Sequence, residues 1–330
     1  MSNHKYQDLQ VLLDFLSRYY NAMNEPIENF SFSEDGEYYT KLCMEVTVYW
    51  RGSAFDKPDS IILFYKRAVA EIGAEIKFFE TGSMSGAKKL RKDTLAMVPF
   101  WFKDPARRRD IYRMNLEGGA HPNEPSDHAI CIVADEDDDE PVGLAKLCLP
   151  VAYGAETPDK LLRLVKDLVR DADFESGHAG YSLNWDRKGD YAAEATQRMG
   201  QIAARFWGID FFSLFTTLLA MRKTKPSGIK RVNWLTFLGA SLTERLGATA
   251  TFESKLSSEC EVHCLSNGIL IKAGDHPTTG DRNSPSALAP YRSVGKLLAP
   301  FRFTNHKPFF GSPDDPASDS STRWLARFDG

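Results

Sequence analysis

The chain has 330 residues, 42% hydrophobic and 26% charged, and its 41 basic and 45 acidic side chains leave a net charge of -4. This describes a globular α and β protein with a large core, and a slightly acidic total does not suggest a nucleic-acid binder. No run approaches the roughly 20 apolar residues of a membrane span, and the N-terminus lacks the continuous apolar core of a secretory signal.

In chain order, Leu9, Leu12, Leu13 and Leu16 stand at helical spacing and predict an amphipathic opening helix over 6–20. LCMEVTVYWRG (42–52) alternates and reads as a strand with Met44, Val46, Val48 and Trp50 on one face. A helix begins at Pro58, with Ile61, Tyr65, Ala68 and Ile72 as its stripe, and EIKFFET (75–81) follows as a strand. The same order recurs in GLAKLCLPV (143–151), a helix with Thr157 as N-cap and Leu161, Leu164, Val165 and Leu168 inward, and GHAGYSLNW (177–185). The repeat predicts an α+β fold of two related β-α-β lobes with helices packed on sheets. The lobes span 1–152 and 153–311, and 312–330 reads as a linker-like tail whose Trp324 and Leu325 dock back.

Further on come helices near 190–206, 211–221 and 288–298, and a doubly covered strand in VNWLTFLG (232–239). Asn267-Gly268 between two β-rich runs predicts a two-residue hairpin. The odd count of five cysteines (Cys43, Cys131, Cys148, Cys260, Cys264) favours reduced core thiols, hence a cytoplasmic protein.

The stretches that invite a chemical reading mostly fail it. TGSMSGAKK (81–89) has three residues between its glycines and Ala87 before Lys88, so it is no P-loop but a turn and helix start. The acidic run Asp135, Glu136, Asp137, Asp138, Asp139, Glu140 would put Glu140 where a calcium loop needs glycine and Lys146 where it needs its last ligand. It reads as a solvated loop, or as an acidic surface for a basic partner. CEVHC (260–264) has no second cluster of zinc-site spacing, and Asp275, His276 and Asp281 suit turn contacts better than metal ligation. His128 and His178 lie in strand contexts without a nucleophile that sequence can pair with them. RKDTLAMVPFWFKDPARRRD mixes bases with aromatics but reads as core beside a solvated basic face. No catalytic residues, cofactor or metal are expected.

AGYSLNW (179–185), GIKRVNWLTFLG (228–239), AGDHPTTGDRN (273–283) and APYRSVGKLLAPFR (289–302), in this order, resemble the TsiV-like family of type VI secretion immunity proteins, some of which neutralise VRR-Nuc nuclease effectors. The resemblance covers roughly 40–305, with departures at Gly247-Ala248, where paired glycines are expected, and at Trp207, where proline is. It implies a non-enzymatic protein that binds a cognate effector toxin domain and blocks its active site, with no direct contact to nucleic acid or membrane. Asn233, Trp234, Leu235, Thr236, Gly274, Pro277, Gly280 and Asp281 are then structural motif residues, with Asn233 a buried amide bonding backbone in the 273–283 loop. The acidic run Asp135–Glu140 is the expected effector contact, on its charge alone. The competing readings are a hydrolase or acyltransferase assembled in space, which predicts shifted titrating groups in a deep polar pocket, and an effector-loading adaptor.

Overall fold

The computed structural model describes residues 30–34, 36–103, 108, 110–136, 139–185, 191–283, 285–303 and 320–329. The helix expected over 6–20, Asp137, Asp138 and residues 312–319 of the tail lie outside them. The first half carries β1 (Phe32–Glu34), β2 (Glu37–Arg51), α1 (Pro58–Ile72), β3 (Phe78–Thr81), β4 (Lys88–Lys89), α2 (Met97–Trp101), β5 (Ile111–Glu117), β6 (Ala129–Asp135) and β7 (Val142–Leu149). Next come α3 (Ala152–Ala155), α4 (Pro158–Val169), β8 (Ser176–Trp185), α5 (Ala192–Arg205), β9 (Asp210–Phe211) and α6 (Leu214–Lys223). The chain continues through β10 (Leu235–Gly239), α7 (Ala240–Leu246), α8 (Thr249–Glu253), β11 (Cys260–Leu265), β12 (Gly268–Ala273), α9 (Ala289–Leu298) and α10 (Ser320–Leu325).

Among the described residues all twelve strands join one sheet, ordered β11-β12-β10-β8-β2-β7-β6-β5-β3-β4, with β1 on β2 and β9 on β8. Every pair is antiparallel except β8 and β9. Both predicted strand-helix-strand passages are present, and their strands meet at the centre: β2 lies between β7 and β8. The sheet therefore runs unbroken across position 152.

One sheet face follows the predicted alternation. Met44, Val46, Val48 and Trp50 of β2 share a cluster with Ile61, Phe64, Tyr65 and Ala68 of α1 and with Leu161, Val165 and Leu168 of α4. Prolines at the first turn start α1 and α4. Thr157 does not cap α4, because its hydroxyl bonds back to the carbonyls of Ala152 and Tyr153. The other face packs Tyr49, Val133 and Leu144 against Leu214, Leu218 and Met221 of α6. Trp324, Leu325 and Phe328 are buried in the core, as the tail reading expected of the first two.

Several local expectations are corrected. Residues 81–89 form a turn that leads into β4, not into a helix. The strand expected over 232–239 is regular only from Leu235, because residues 231–234 leave the sheet line. The hairpin exists, yet Leu265 pairs with Gly268, so its two turn residues are Ser266 and Asn267. Cys43, Cys131 and Cys148 are core thiols, whereas Cys260 is half-buried and Cys264 exposed, because β11 is an edge strand with one uncovered side.

Close approach at the sheet centre depends on Gly177. A Cβ there would stand 1.9 Å from the Phe237 ring and 2.5 Å from the Thr47 carbonyl oxygen. Gly177→Ala is expected to lower unfolding free energy by roughly 1–3 kcal/mol through overpacking. Urea denaturation checks this, and an unchanged midpoint refutes it.

Candidate functional site

The register of the sheet dictates which polar side chains meet. Thr47 of β2 lies opposite Lys146 of β7 and His178 of β8, and Glu45 lies opposite Cys148 and Gly180. Cross-strand partners point to the same face, so Glu45, Thr47, Lys146 and His178 form a polar patch on the α6 side of the sheet. Ser182 and Asn184 extend it along β8. Beyond the end of β10, β9 pairs with Ser182 and Leu183 and brings Asp210 to the patch. The irregular 229–234 segment then lays Lys230 and Arg231 over it. All of these residues are buried.

The bonds within the patch are dense. Ser182 Oγ donates to Glu45 Oε2 at 2.7 Å, and Thr47 Oγ1 donates to Glu45 Oε1 at 2.6 Å. His178 Nε2 lies 2.7 Å from Asp210 Oδ2 and 3.4 Å from Glu45 Oε1. Arg231 ion-pairs with Asp210. Lys230 Nζ donates to the Phe211 carbonyl at 3.0 Å, and Lys146 Nζ donates to Asn184 Oδ1 at 3.0 Å while standing over the Phe212 ring.

Burial sets the titration of these groups. Burial and the neighbouring Arg231 lower His178 to about 3, against the pull of Glu45. The imidazole is therefore neutral near pH 7; its hydrogen bond goes to Glu45, and its approach to Asp210 is a close contact and not an ion pair. Burial likewise lowers Lys230 to about 7, opposed by Glu45. For Glu45, burial alone would push the carboxyl up; the His178 hydrogen bond and the charges of Lys146 and Lys230 outweigh it and hold it well below the usual range.

Glu45, His178 and Asp210 offer ligand atoms within 4.8 Å of one another, close enough to consider a metal. The charges do not fit one. Arg231 occupies Asp210, and Lys230 stands 3.9 Å from the same carboxylate. A divalent cation would face those two positive neighbours and Lys146.

The patch continues as a stripe towards the other edge of the sheet. Lys146 pairs with Cys131, Cys131 with Asn115, and Asn115 with Glu80, while Ala129 pairs with Glu117. Asn184 Nδ2 donates to Glu117 Oε2 at 3.2 Å and so joins the sealed part to the open part. There the stripe floors a cavity of about 290 Å³ whose walls include Phe78, Trp185, Leu214 and Phe215. Phe215 is 70% exposed. Glu45, His178 and Lys230 do not line this cavity.

The expected contact residues lie elsewhere on the same side. Glu136 is buried, its carboxylate accepting from the Ala54 N–H at 2.7 Å. Asp135 pairs with Arg222 at 2.7 Å, and Glu140 pairs with Lys225. Asp139 is exposed. The run is thus partly structural, and a uniform solvated loop does not describe it.

The motif residues fall into two groups, Asn233, Trp234, Leu235 and Thr236 beside β8 and Gly274, Pro277, Gly280 and Asp281 in the 273–283 loop. Asn233 Oδ1 accepts from the Trp234 N–H at 2.8 Å, and its Nδ2 donates to the Tyr181 carbonyl at 3.4 Å, so its backbone partner is in β8 and not in the 273–283 loop. A Cβ on Gly180 would meet that Oδ1 at 2.1 Å. Trp234 makes the loop contact instead, through Nε1 to the Gly274 carbonyl at 2.9 Å. Thr236 Oγ1 accepts from the Asn233 N–H, and Leu235 is core. Asp281 binds Arg205 and accepts from the Asn283 N–H, the turn contact expected of it, and Gly280 has φ 63°. Pro277 is buried in the same loop. The charged patch itself was missed by sequence reading, although Glu45 in the middle of an otherwise uncharged strand core was its one visible sign.

The family model for type VI immunity for VRR-NUC, TsiV, matches residues 65–328. The chain belongs to that family. Among solved structures, the Pseudomonas aeruginosa T6SS protein PA0821 is similar in fold, with a TM-score of 0.73 at 19% identity over 89% of this chain and 84% of that one. No curated protein matches the chain. In this TsiV-family chain no described helix is long and apolar enough to cross a membrane.

Acid should weaken the sealed patch. His178 titrates at about 3 in the fold against 6.5 ordinarily, so the unfolded chain takes up the proton first and stability falls as pH drops through that interval. Glu45, held low, adds a loss at the acid end of the same range. His178→Gln is expected to melt lower at pH 7 but to show a flatter fall in Tm between about pH 6.5 and 4.5. Thermal melts across pH check this, and an unchanged slope would exclude His178 as the group responsible.

Proposed function

We propose that this protein is the immunity partner of a type VI effector with a VRR-Nuc-type nuclease domain, and that it acts by binding that domain and occluding its active site without turnover. Membership of the TsiV family supports the partner class. The observation that carries the binding surface is Phe215, a large aromatic side chain 70% exposed at the mouth of an open cavity. Single aromatic anchors of this kind carry much of the energy of standard interfaces of roughly 1,600 Å².

α6 links this anchor to the acidic segment. Its ten residues span about 15 Å, with Phe215 in the first turn and Arg222 in the last, where Arg222 holds Asp135. Asp139 and the exposed part of Glu140 therefore belong to the far end of the same face. A DNA-cleaving domain presents a basic groove to phosphates, and carboxylates at this end complement it and speed capture. The burial of Glu45, His178 and Lys230 away from the open cavity favours a binding role over the hydrolase or acyltransferase reading.

Two substitutions separate the parts. Phe215→Ala is expected to weaken effector binding by roughly 10–100-fold with Tm unchanged, since the side chain supports little of the fold. Asp139→Asn with Glu140→Gln should mainly slow association and flatten its salt dependence. Surface plasmon resonance at several salt concentrations reads both effects, and co-expression with the nuclease reads loss of protection. Unaltered affinity in both variants would remove the α6 face from the interface. Cells that die despite strong binding would identify an adaptor instead.

A further inference from the structure

A second cavity, of about 300 Å³, opens at the C-terminal end of α5 and shares no lining residue with the cavity beside Phe215. It is lined by Phe30, Phe32, Phe206, Arg198, Arg205 and Arg282, among others. The 279–283 loop is fastened to the end of α5 by backbone bonds. The Trp207 N–H donates to Gly280 and the Gly208 N–H to Thr279, both at 2.8 Å, and the Arg282 N–H donates to Arg205 at 2.9 Å. The cleft is therefore built on fixed backbone, and the TTGDRN stretch forms one wall of it.

Its charges do not cancel. Arg205 is neutralised by Asp281, with Nε and Nη2 at 2.9 and 2.7 Å from Oδ2. Arg198 lies 5.1 Å over the Phe32 ring and donates to Gln201 Oε1 at 3.2 Å. Arg282 lies 5.8 Å over the Trp207 ring and donates to the Ala204 carbonyl at 3.2 Å. Among the described residues neither Arg198 nor Arg282 faces a carboxylate. A guanidinium laid on a ring face keeps its N–H edge directed outward, where it can grip an oxyanion in bidentate fashion.

We propose that this cleft binds a phosphate monoester carried on a flat body, of the nucleoside monophosphate class. Two uncompensated guanidinium charges match the charge of about -1.5 to -2 on a phosphate monoester at neutral pH, whereas a carboxylate leaves one of them unmatched. Phe30 and Phe206, with ring centroids 4.7 Å apart, supply an apolar aromatic floor that an inorganic anion would not use. The volume lies at the small end of the range for small-molecule sites.

Calorimetric titration of the full chain with AMP, adenosine, inorganic phosphate and benzoate tests this. AMP is expected to bind about tenfold or more tighter than the other three, and increasing salt should weaken it. Arg198→Gln and Arg282→Gln are each expected to weaken AMP about tenfold while melting like the parent chain. The proposal is overturned if AMP binds no tighter than adenosine or benzoate, or if neither substitution changes its affinity. Phosphate binding as tightly as AMP would remove the flat body. Should AMP fail to bind while both variants lose affinity for the effector nuclease, the arginines serve an acidic protein contact and the nucleotide assignment fails, with the immunity reading intact.

Discussion

The hydrogen-bonded charge patch between β2, β8 and the 229–234 segment is the constraint on which the centre of this fold depends. Charged groups brought out of water are tolerated only when each finds partners. Glu45 is held by Ser182 and Thr47, and Asp210 by Arg231 and His178. Lys146 and Lys230 complete the set through Asn184 and the Phe211 carbonyl. Removing one member leaves another charge buried without compensation, and breaking such pairs is strongly destabilising. The patch also fixes position: Asp210 meets His178 only where β9 takes its place along β8, and Arg231 meets Asp210 only where the chain leaves the line of β10.

That arrangement explains why the two sides of the sheet differ in role. The α1 and α4 side is an apolar core of ordinary kind. The α6 side carries a polar stripe that is sealed over β2 and β8 and open over β3 and β5. Glu117 and Asn184 join the two parts. A binding surface set at the open end of a buried, densely bonded stripe needs little reordering on capture, and less ordering cost leaves more of the contact energy as affinity.

The immunity reading and the nucleotide-class cleft occupy separate parts of the molecule. One uses α6, the acidic segment and an exposed phenylalanine; the other uses the end of α5 and the 279–283 loop. The motif residues serve the scaffold between them. Asn233 ties the 231–234 segment to β8, Trp234 ties it to Gly274, and Asp281 holds Arg205 at the cleft wall.

Local pattern was enough to reveal the strand-helix-strand passages, the Met44–Trp50 face, the stripe of α1 and the 260–273 hairpin, because periodicity records which side of an element is buried. It was also enough to place the chain beside the TsiV-like proteins. The joining of both halves into one sheet, the burial of Glu136 and the assembly of Glu45, Lys146, His178, Asp210 and Arg231 were decided by tertiary structure alone. These residues are up to 186 positions apart, from Glu45 to Arg231, and none of their segments contains another of the five. Strand order and register bring them into contact, and neither is encoded in any single stretch of sequence.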